Sequence, residues 1–209
     1  MEGLVVFGDV IGSRRDSPRA TAWLRLLRTE LGAMYDPADR LAAFEFTQGD
    51  ELQGLLTVTA DPFAAVLRAA LHPERVAMRG VVIRGDVDAG TGPATQRSGP
   101  AFFAARERLA TASARRELIS AGSGDAPTDA TLDTLAPLLG ELLDDLTDRQ
   151  REIAWPLLVE GRRRSEAAAR LGVSRATVSV AADRAHLRSI GDLAGVIRRL
   201  LATQRVIAR

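Results

Sequence analysis

Two carboxylates carry the first chemical signal. Asp9 follows the apolar run Leu4-Val5-Val6-Phe7 and Gly8, and Asp50 sits in Gln48-Gly49-Asp50-Glu51 between two further apolar runs. Magnesium takes one or two protein carboxylates and completes its octahedron with water and phosphate oxygens. Glycine beside each aspartate lets a phosphate approach the backbone. Gly8, Asp9, Gly12, Ser13, Arg14, Gly49 and Asp50 therefore read as a nucleotide site, with Asp9 and Asp50 as ligands of Mg²⁺ or Mn²⁺. Ser13 can donate to a phosphate, and Arg14 and Arg15 can pair with one. The bland reading stays open beside it: aspartate is favoured in turns for local hydrogen bonds, and Ser13 to Arg15 fit an exposed charged turn equally well. Gln53 either faces the same cleft or pairs across the hairpin. Asp86 and Asp88 either add charge near the site or belong to a solvated loop, the reading favoured here.

Other chemistries are excluded by composition. The 209 residues include no cysteine, so there is no disulfide scaffold, zinc finger or thiol nucleophile. His72 and His186 are the only histidines, too few for a histidine-rich metal site, and neither suggests a nucleophilic triad. His72 reads as a helix-terminal residue favoured by the dipole. Trp23 reads as core, and Phe102 and Phe103 as core or dimer contacts rather than a base-stacking platform.

The second signal is basic. Residues 1–145 hold 15 Arg against 21 Asp and Glu, whereas residues 146–209 hold 13 against 6, and the chain has no lysine. An acidic front and a basic tail suggest two modules, the second facing a polyanion. Thr147-Asp148-Arg149-Gln150 is a capping box that starts a helix, with Pro156 marking a kink. Ser165 to Leu171 is a short helix with alanines for close packing, Gly172-Val173 is the turn, and Ser174 caps a helix from Arg175 to about Arg188. This is the spacing of a helix-turn-helix, in which the first turns of the second helix meet base edges. Ser174, Arg175, Thr177 and Val178 are assigned to the groove, and Arg162, Arg163, Arg164 and Arg184 to phosphates. A helical hairpin used only for packing is the alternative.

The elements that must position these residues follow from periodicity. Strands are predicted at Leu4–Phe7, Leu41–Thr47, Leu52–Thr59, Met78–Ile83 and Glu117–Ala121. Helices are predicted at 18–34, from Asp61-Pro62 onward and over Pro100–Ala114, with residues 85–99 a long loop or loose hairpin extension. The order β-α-β-β-α-β, then α-β, spells a ferredoxin-like α+β domain with a mostly antiparallel sheet and helices on one face. A leucine-rich helix from about Asp129 to Leu143 connects it to an all-α helix-turn-helix domain, and Pro137 is expected to kink or split that helix. The predicted domains are 1–122 and 146–209, with 123–145 between them. A terminal apolar stripe, Leu187 to Ile207, closes or dimerises the second. No run reaches the roughly 18 apolar residues of a membrane span, and Met1 to Phe7 lacks a basic leader, so no membrane partner and a cytoplasmic location are expected.

VVFGDVIGSRR at 5–15 and TQGDELQGLL at 47–56, with RGVVIRGDVDAG at 79–90 and GPAFFAARERL at 99–109, resemble in order the motifs of class III nucleotide cyclases. They are closer still to the SatD family, whose members share the Gly-Asp start, the Gly-Asp-Glu hairpin and the Gly-Pro-Ala helix. The resemblance covers roughly residues 4–121. It implies a cyclase-type domain in which Asp9 and Asp50 take the places of the metal aspartates, with Arg106 near the transferring phosphoryl group. Departures argue against efficient ATP cyclisation: Phe46 stands where cyclases carry a base-reading Lys or Glu, the late helix has no Asn, and Arg106 is one residue out of register. SEAAARLGVSRATVS resembles the DNA-binding regions of sigma-factor region 4, LuxR-type and MarR-type regulators.

Together these readings give a homodimeric transcription regulator that binds double-stranded DNA and senses a nucleotide, with or without a divalent metal. The alternative is an active, divergent nucleotide cyclase or other metal-dependent nucleotidyl or phosphoryl transferase.

Overall fold

The computed structural model describes residues 1–47 and 50–202, apart from the Arg14 side chain. Gly49 and the end of the predicted terminal helix lie outside them. Strand β1 (Glu2–Val10) leads through helix α1 (Ser17–Met34) to β2 (Arg40–Phe46) and β3 (Glu51–Leu56). Helix α2 (Pro62–Leu71), β4 (Met78–Asp86), α3 (Pro100–Arg115) and β5 (Ile119–Gly122) follow. The remainder is helical: α4 (Ala126–Asp144), α5 (Asp148–Ala154), α6 (Arg164–Leu171), α7 (Arg175–Arg184) and α8 (Leu187–Ala202). The chain is α+β, as expected.

The five strands lie in the order β2-β3-β1-β4-β5. The first four pair antiparallel, and β5 runs parallel to β4. Leu4, Val6, Val10, Leu52, Leu56 and Val82 meet α1, α2 and α4 on one face. Val5, Phe7, Leu55, Val81 and Ile83 meet Ala101, Phe102, Ala105 and Leu109 of α3 on the other. The expectation of helices on one face is thus corrected. Every residue from Leu4 to Phe7 is buried, and a strand whose apolar residues do not alternate with polar ones needs cover on both faces.

The segment 87–99 is part of that cover, not a loose extension. Val87 and Ala94 are buried in the α3 face, and the buried Arg97 donates to the carbonyls of Leu41 (3.3 Å) and Asp88 (3.1 Å). Helix α4 runs unbroken through Pro137. Gly140 lies against β5, where an added Cβ would meet the Ile119 nitrogen at 3.1 Å. Burial of Leu132, Ala136, Leu139 and Leu143 outweighs the one hydrogen bond that proline removes. The helix predicted through Pro156 is α-helical to Ala154, then opens into a π turn over Trp155–Val159. The helix predicted to reach Arg188 stops at Arg184, because His186 turns to φ 52° before α8 begins.

One core joins both halves: residues of α1 and α2 and of α4 to α8 form a single buried cluster. Arg84 of β4 donates through Nη1 to the Leu201 carbonyl of α8 (2.7 Å) while its Nε and Nη2 hold Glu2. His72 caps the C-terminus of α2, the helix-terminal place expected of it. It is buried at the end of α2, tilted against Trp23 and edge-on to Trp155, with both ring centroids at 5.1 Å.

Candidate functional site

Asp9 lies one residue before the end of β1, opposite Glu51 of β3 and Arg79 of β4. Alternation along the strands puts Asp9, Glu51, Gln53 and Arg79 on the α3 side of the sheet. Like charges directly opposite one another destabilise a strand pair. Arg79 offsets part of that cost: its Nη1 donates to Asp9 Oδ2 (3.3 Å) and its Nε to the Glu117 carbonyl (2.9 Å). Burial is the largest influence on the Asp9 carboxyl and raises its pKa above 3.8; Asp50 and Glu51 add to the rise, and Arg79 opposes it. Gln53 is buried, donates to Glu51, and leaves its Oε1 without a hydrogen-bond partner.

The turn after β1 delivers the second aspartate. Gly12 adopts a left-handed conformation at the entry to the short 3₁₀ turn Ser13–Arg15. From there the Ser13 hydroxyl donates to the Asp50 carboxylate. The Asp50 carbonyl accepts from the Val10 N–H at 3.1 Å, which fastens the hairpin to β1. Asp9, Ser13 and Asp50 therefore meet at one end of the sheet. Two carboxylates can hold magnesium when water and phosphate oxygens complete the shell. Among the described residues no group of three or more His, Cys, Asp and Glu suited to a metal occurs.

Other expected members are elsewhere. Gly8 faces the opposite side of the sheet, where an added Cβ would meet Met78 Cε at 2.8 Å; it is a packing residue. Arg106 is on the exposed face of α3, and no hydrogen bond or ion pair joins it to Asp9 or Asp50 among the described residues. Asp86 pairs with Glu2 at the far end of β1, about 23 Å from Asp9 at ~3.3 Å per residue. Asp88 accepts from Ser98 Oγ at 2.7 Å. Sequence reasoning missed Glu51 and Arg79 as neighbours of Asp9; their signal is the strand register, which no motif spells out.

The helical region builds a second site. Ala167 and Ala168 of α6 pack inward, and Gly172 at φ 64° turns the chain through the left-handed region that glycine enters without strain. Ser174 accepts from the Thr177 N–H at 3.0 Å, capping α7. Its oxygen is thus engaged in holding the helix start. Val178 and Ala182 face the core, Val178 with no exposed surface; its assignment to a base contact is corrected. The outward face carries Ala176, Thr177, Val180 and Arg184, which line an open groove with Thr147, Arg149 and Gln150 at the start of α5. Val180, half exposed, is the apolar residue on that face and was missed by two positions.

The arginines divide into two sets. Arg162 and Arg170 converge on Glu160 (both 2.6 Å), and Arg164 pairs with Asp183 (2.9 Å). Burial alone would raise the Glu160 carboxyl, but the hydrogen bonds from Arg162 and the Trp155 indole, with the charge of Arg170, hold it below 4.5. Arg163, Arg175 and Arg184 are exposed and have no ion pair among the described residues. Guanidinium groups not already held by carboxylates are the ones available to a phosphate or a base edge.

Residues 135–192, from within α4 to the first turns of α8, match the family described as TrfB plasmid transcriptional repressor. The match covers a little over a quarter of the chain and takes in α5, α6 and α7 whole. It supports this stretch as the C-terminal region of a DNA-binding regulator, through a family other than those the motif resembled. No curated protein matches the chain. No described helix is long and apolar enough to cross a membrane.

Proposed function

We propose that the protein is a DNA-binding transcription regulator whose sheet domain senses a nucleotide. The observation that carries the first half is the outer face of α7, where Thr177, Val180 and Arg184 stand exposed, together with exposed Arg175 at the first position of the helix and exposed Arg163, none of these arginines in an ion pair among the described residues. Thr177 and Val180 suit base edges and thymine methyls, and an unpaired arginine suits guanine. Arg184 and Arg163 reach phosphates, while Arg162 and Arg164 contribute less because each already holds a carboxylate. The chain acts in the cytoplasm as a homodimer, so two α7 helices read two half-sites about one helical turn apart.

The second half rests on the meeting of Asp9, Ser13 and Asp50. Interleaved β1-α1-β2 and β3-α2-β4 units with strand order β2-β3-β1-β4 support the ferredoxin-like, cyclase-type reading and the SatD resemblance. A Mg²⁺ or Mn²⁺ held by both aspartates would neutralise charge on the nucleotide phosphates, Ser13 would donate to one of them, and the buried Gln53 Oε1 offers an acceptor nearby. Because Arg106 is not brought to the pair, sensing is favoured over phosphoryl transfer.

Thermal-shift measurements with nucleoside mono-, di- and triphosphates and cyclic nucleotides, each with and without Mn²⁺, test the second half. One nucleotide is expected to raise the melting temperature, and Asp9→Ala and Asp50→Ala to abolish the rise. A ligand at 100 times its Kd adds ~2.7 kcal/mol, so absence of any shift across the panel would refute nucleotide sensing. Selection of duplexes from a random pool by the full chain tests the first half: a consensus with two half-sites is expected, and an unchanged pool would refute it.

A further inference from the structure

A partly open cavity of about 80 Å³ lies between the sheet and helices α1, α2 and α4. Its wall is aliphatic, with Val6, Leu27, Leu31, Leu52, Val66 and Leu143 contributing. Its charged lining side chains are Arg75 and Arg151 and the carboxylate of Asp144; Arg79 also borders it, but its side chain lies on the α3 side of the sheet. Arg79 is already held by Asp9. Arg151, at the joint between α4 and α5, is not fully used.

Arg151 is 7% exposed. Its Nη1 donates to the carbonyls of Leu143 (2.6 Å) and Ala70 (3.4 Å), and its Nη2 to that of Asp144 (2.8 Å). The bonds to Leu143 and Asp144 satisfy carbonyls at the end of α4 that have no partner within the helix, and the bond to Ala70 reaches α2. Its Nε–H is buried and has no acceptor. A buried donor left unmade costs free energy, more so on a charged group. Beside that donor the wall is mostly aliphatic, with the Arg75 guanidinium and the Asp144 carboxylate as its other charged groups. An anionic oxygen attached to an apolar tail satisfies both the donor and the wall.

We propose that this cavity binds a short-chain aliphatic carboxylate, its tail among the aliphatic side chains and one carboxylate oxygen accepting from Arg151 Nε. An apolar cavity of about 150 Å³ takes benzene, so roughly half that volume limits the tail to about three or four carbons. The proposal is independent of both the nucleotide and the DNA reading, since it uses neither the Asp9–Asp50 pair nor α7.

The test is calorimetric titration of the full chain with butyrate, with acetate and hexanoate bracketing the length and n-butanol and butyramide as neutral controls. Butyrate is expected to bind at least about tenfold more tightly than either neutral control, a difference of ~1.4 kcal/mol. Acetate and hexanoate are expected to be weaker than butyrate. Arg151→Met should lose the preference for the anion, but it also removes the bonds to α4 and could unfold the chain. Ala69→Leu keeps Arg151 and fills the cavity; it is expected to abolish butyrate binding while the circular dichroism spectrum and melting are retained. No binding of butyrate at about 10 mM, well above a 1 mM Kd, would overturn the proposal. So would equal binding of n-butanol, which denotes an apolar cavity only, or binding that survives Ala69→Leu, which denotes association with surface arginines.

Discussion

Val178 and Val180 differ in role because α7 turns 100° per residue. Val178, Ala182 and Ala185 recur at i, i+4 and i+7 and are buried, a stripe legible in the sequence once the helix is placed. Val180 lies on the opposite face with Ala176 and Arg184. Val178→Ala is therefore expected to cost roughly 1–3 kcal/mol of stability by opening a cavity, read as a lowered midpoint in urea. Val180→Ala is expected to leave the midpoint within about 0.5 kcal/mol and to weaken DNA binding instead. The reverse pattern would misplace the reading face. Asp9 gives a second contrast. Its pKa is raised in the fold by burial, Asp50 and Glu51, so its ionised form is destabilising, and that penalty is present at neutral pH and relieved as acid protonates it. Asp9→Asn is expected to melt above the wild type at pH 7, the gap closing as pH falls through the carboxylate range. A gap that is constant with pH would remove the electrostatic account. Asp9 and Asp50 were legible as types beside glycines; Glu51 and Arg79 were not, because their proximity is a matter of strand register.

Among the elements, β3 shows how packing fixes a residue that no motif explains. Gly54 lies under the Phe44 ring, and an added Cβ would stand 2.1 Å from Phe44 Cε1. That ring in turn stacks on Tyr35 at 5.7 Å, whose hydroxyl donates to the Asp61 carbonyl at 2.6 Å. Gly54→Ala is expected to cost about 1–3 kcal/mol through overpacking, measured by chemical denaturation; a neutral result would mean that β2 moves aside freely. The element order was readable from apolar runs and turn residues. Helices were expected on one face only, although the unbroken apolar runs of β1 and β4 imply the cover that α3 provides on the other. Pro137 misled in the other direction, since local propensity predicted a break that packing of α4 on β5 overrides.

At the scale of the molecule, the two charge regimes suggested separate modules, yet the buried cluster is continuous from α1 to α8. Trp155 touches both sides: its indole donates to Glu160 (2.8 Å), while its ring receives His72 edge-on and Arg68 at 5.1 Å over its face. Such a joint is invisible in the sequence because its partners are some 80 residues apart. Calorimetry is expected to show one cooperative unfolding transition, with calorimetric and van't Hoff enthalpies equal; two resolved transitions would mean that the halves fold independently. The central claim is that the exposed face of α7 reads DNA, and its most direct test is the affinity of the full chain for its own selected duplex. Fluorescence anisotropy should show Arg175→Ala weakened by ~1–3 kcal/mol on that duplex, with little change on an unrelated one. Arg164→Ala, whose side chain is already paired with Asp183, should lose less. An Arg175→Ala variant that binds the selected duplex as tightly as wild type would contradict the account.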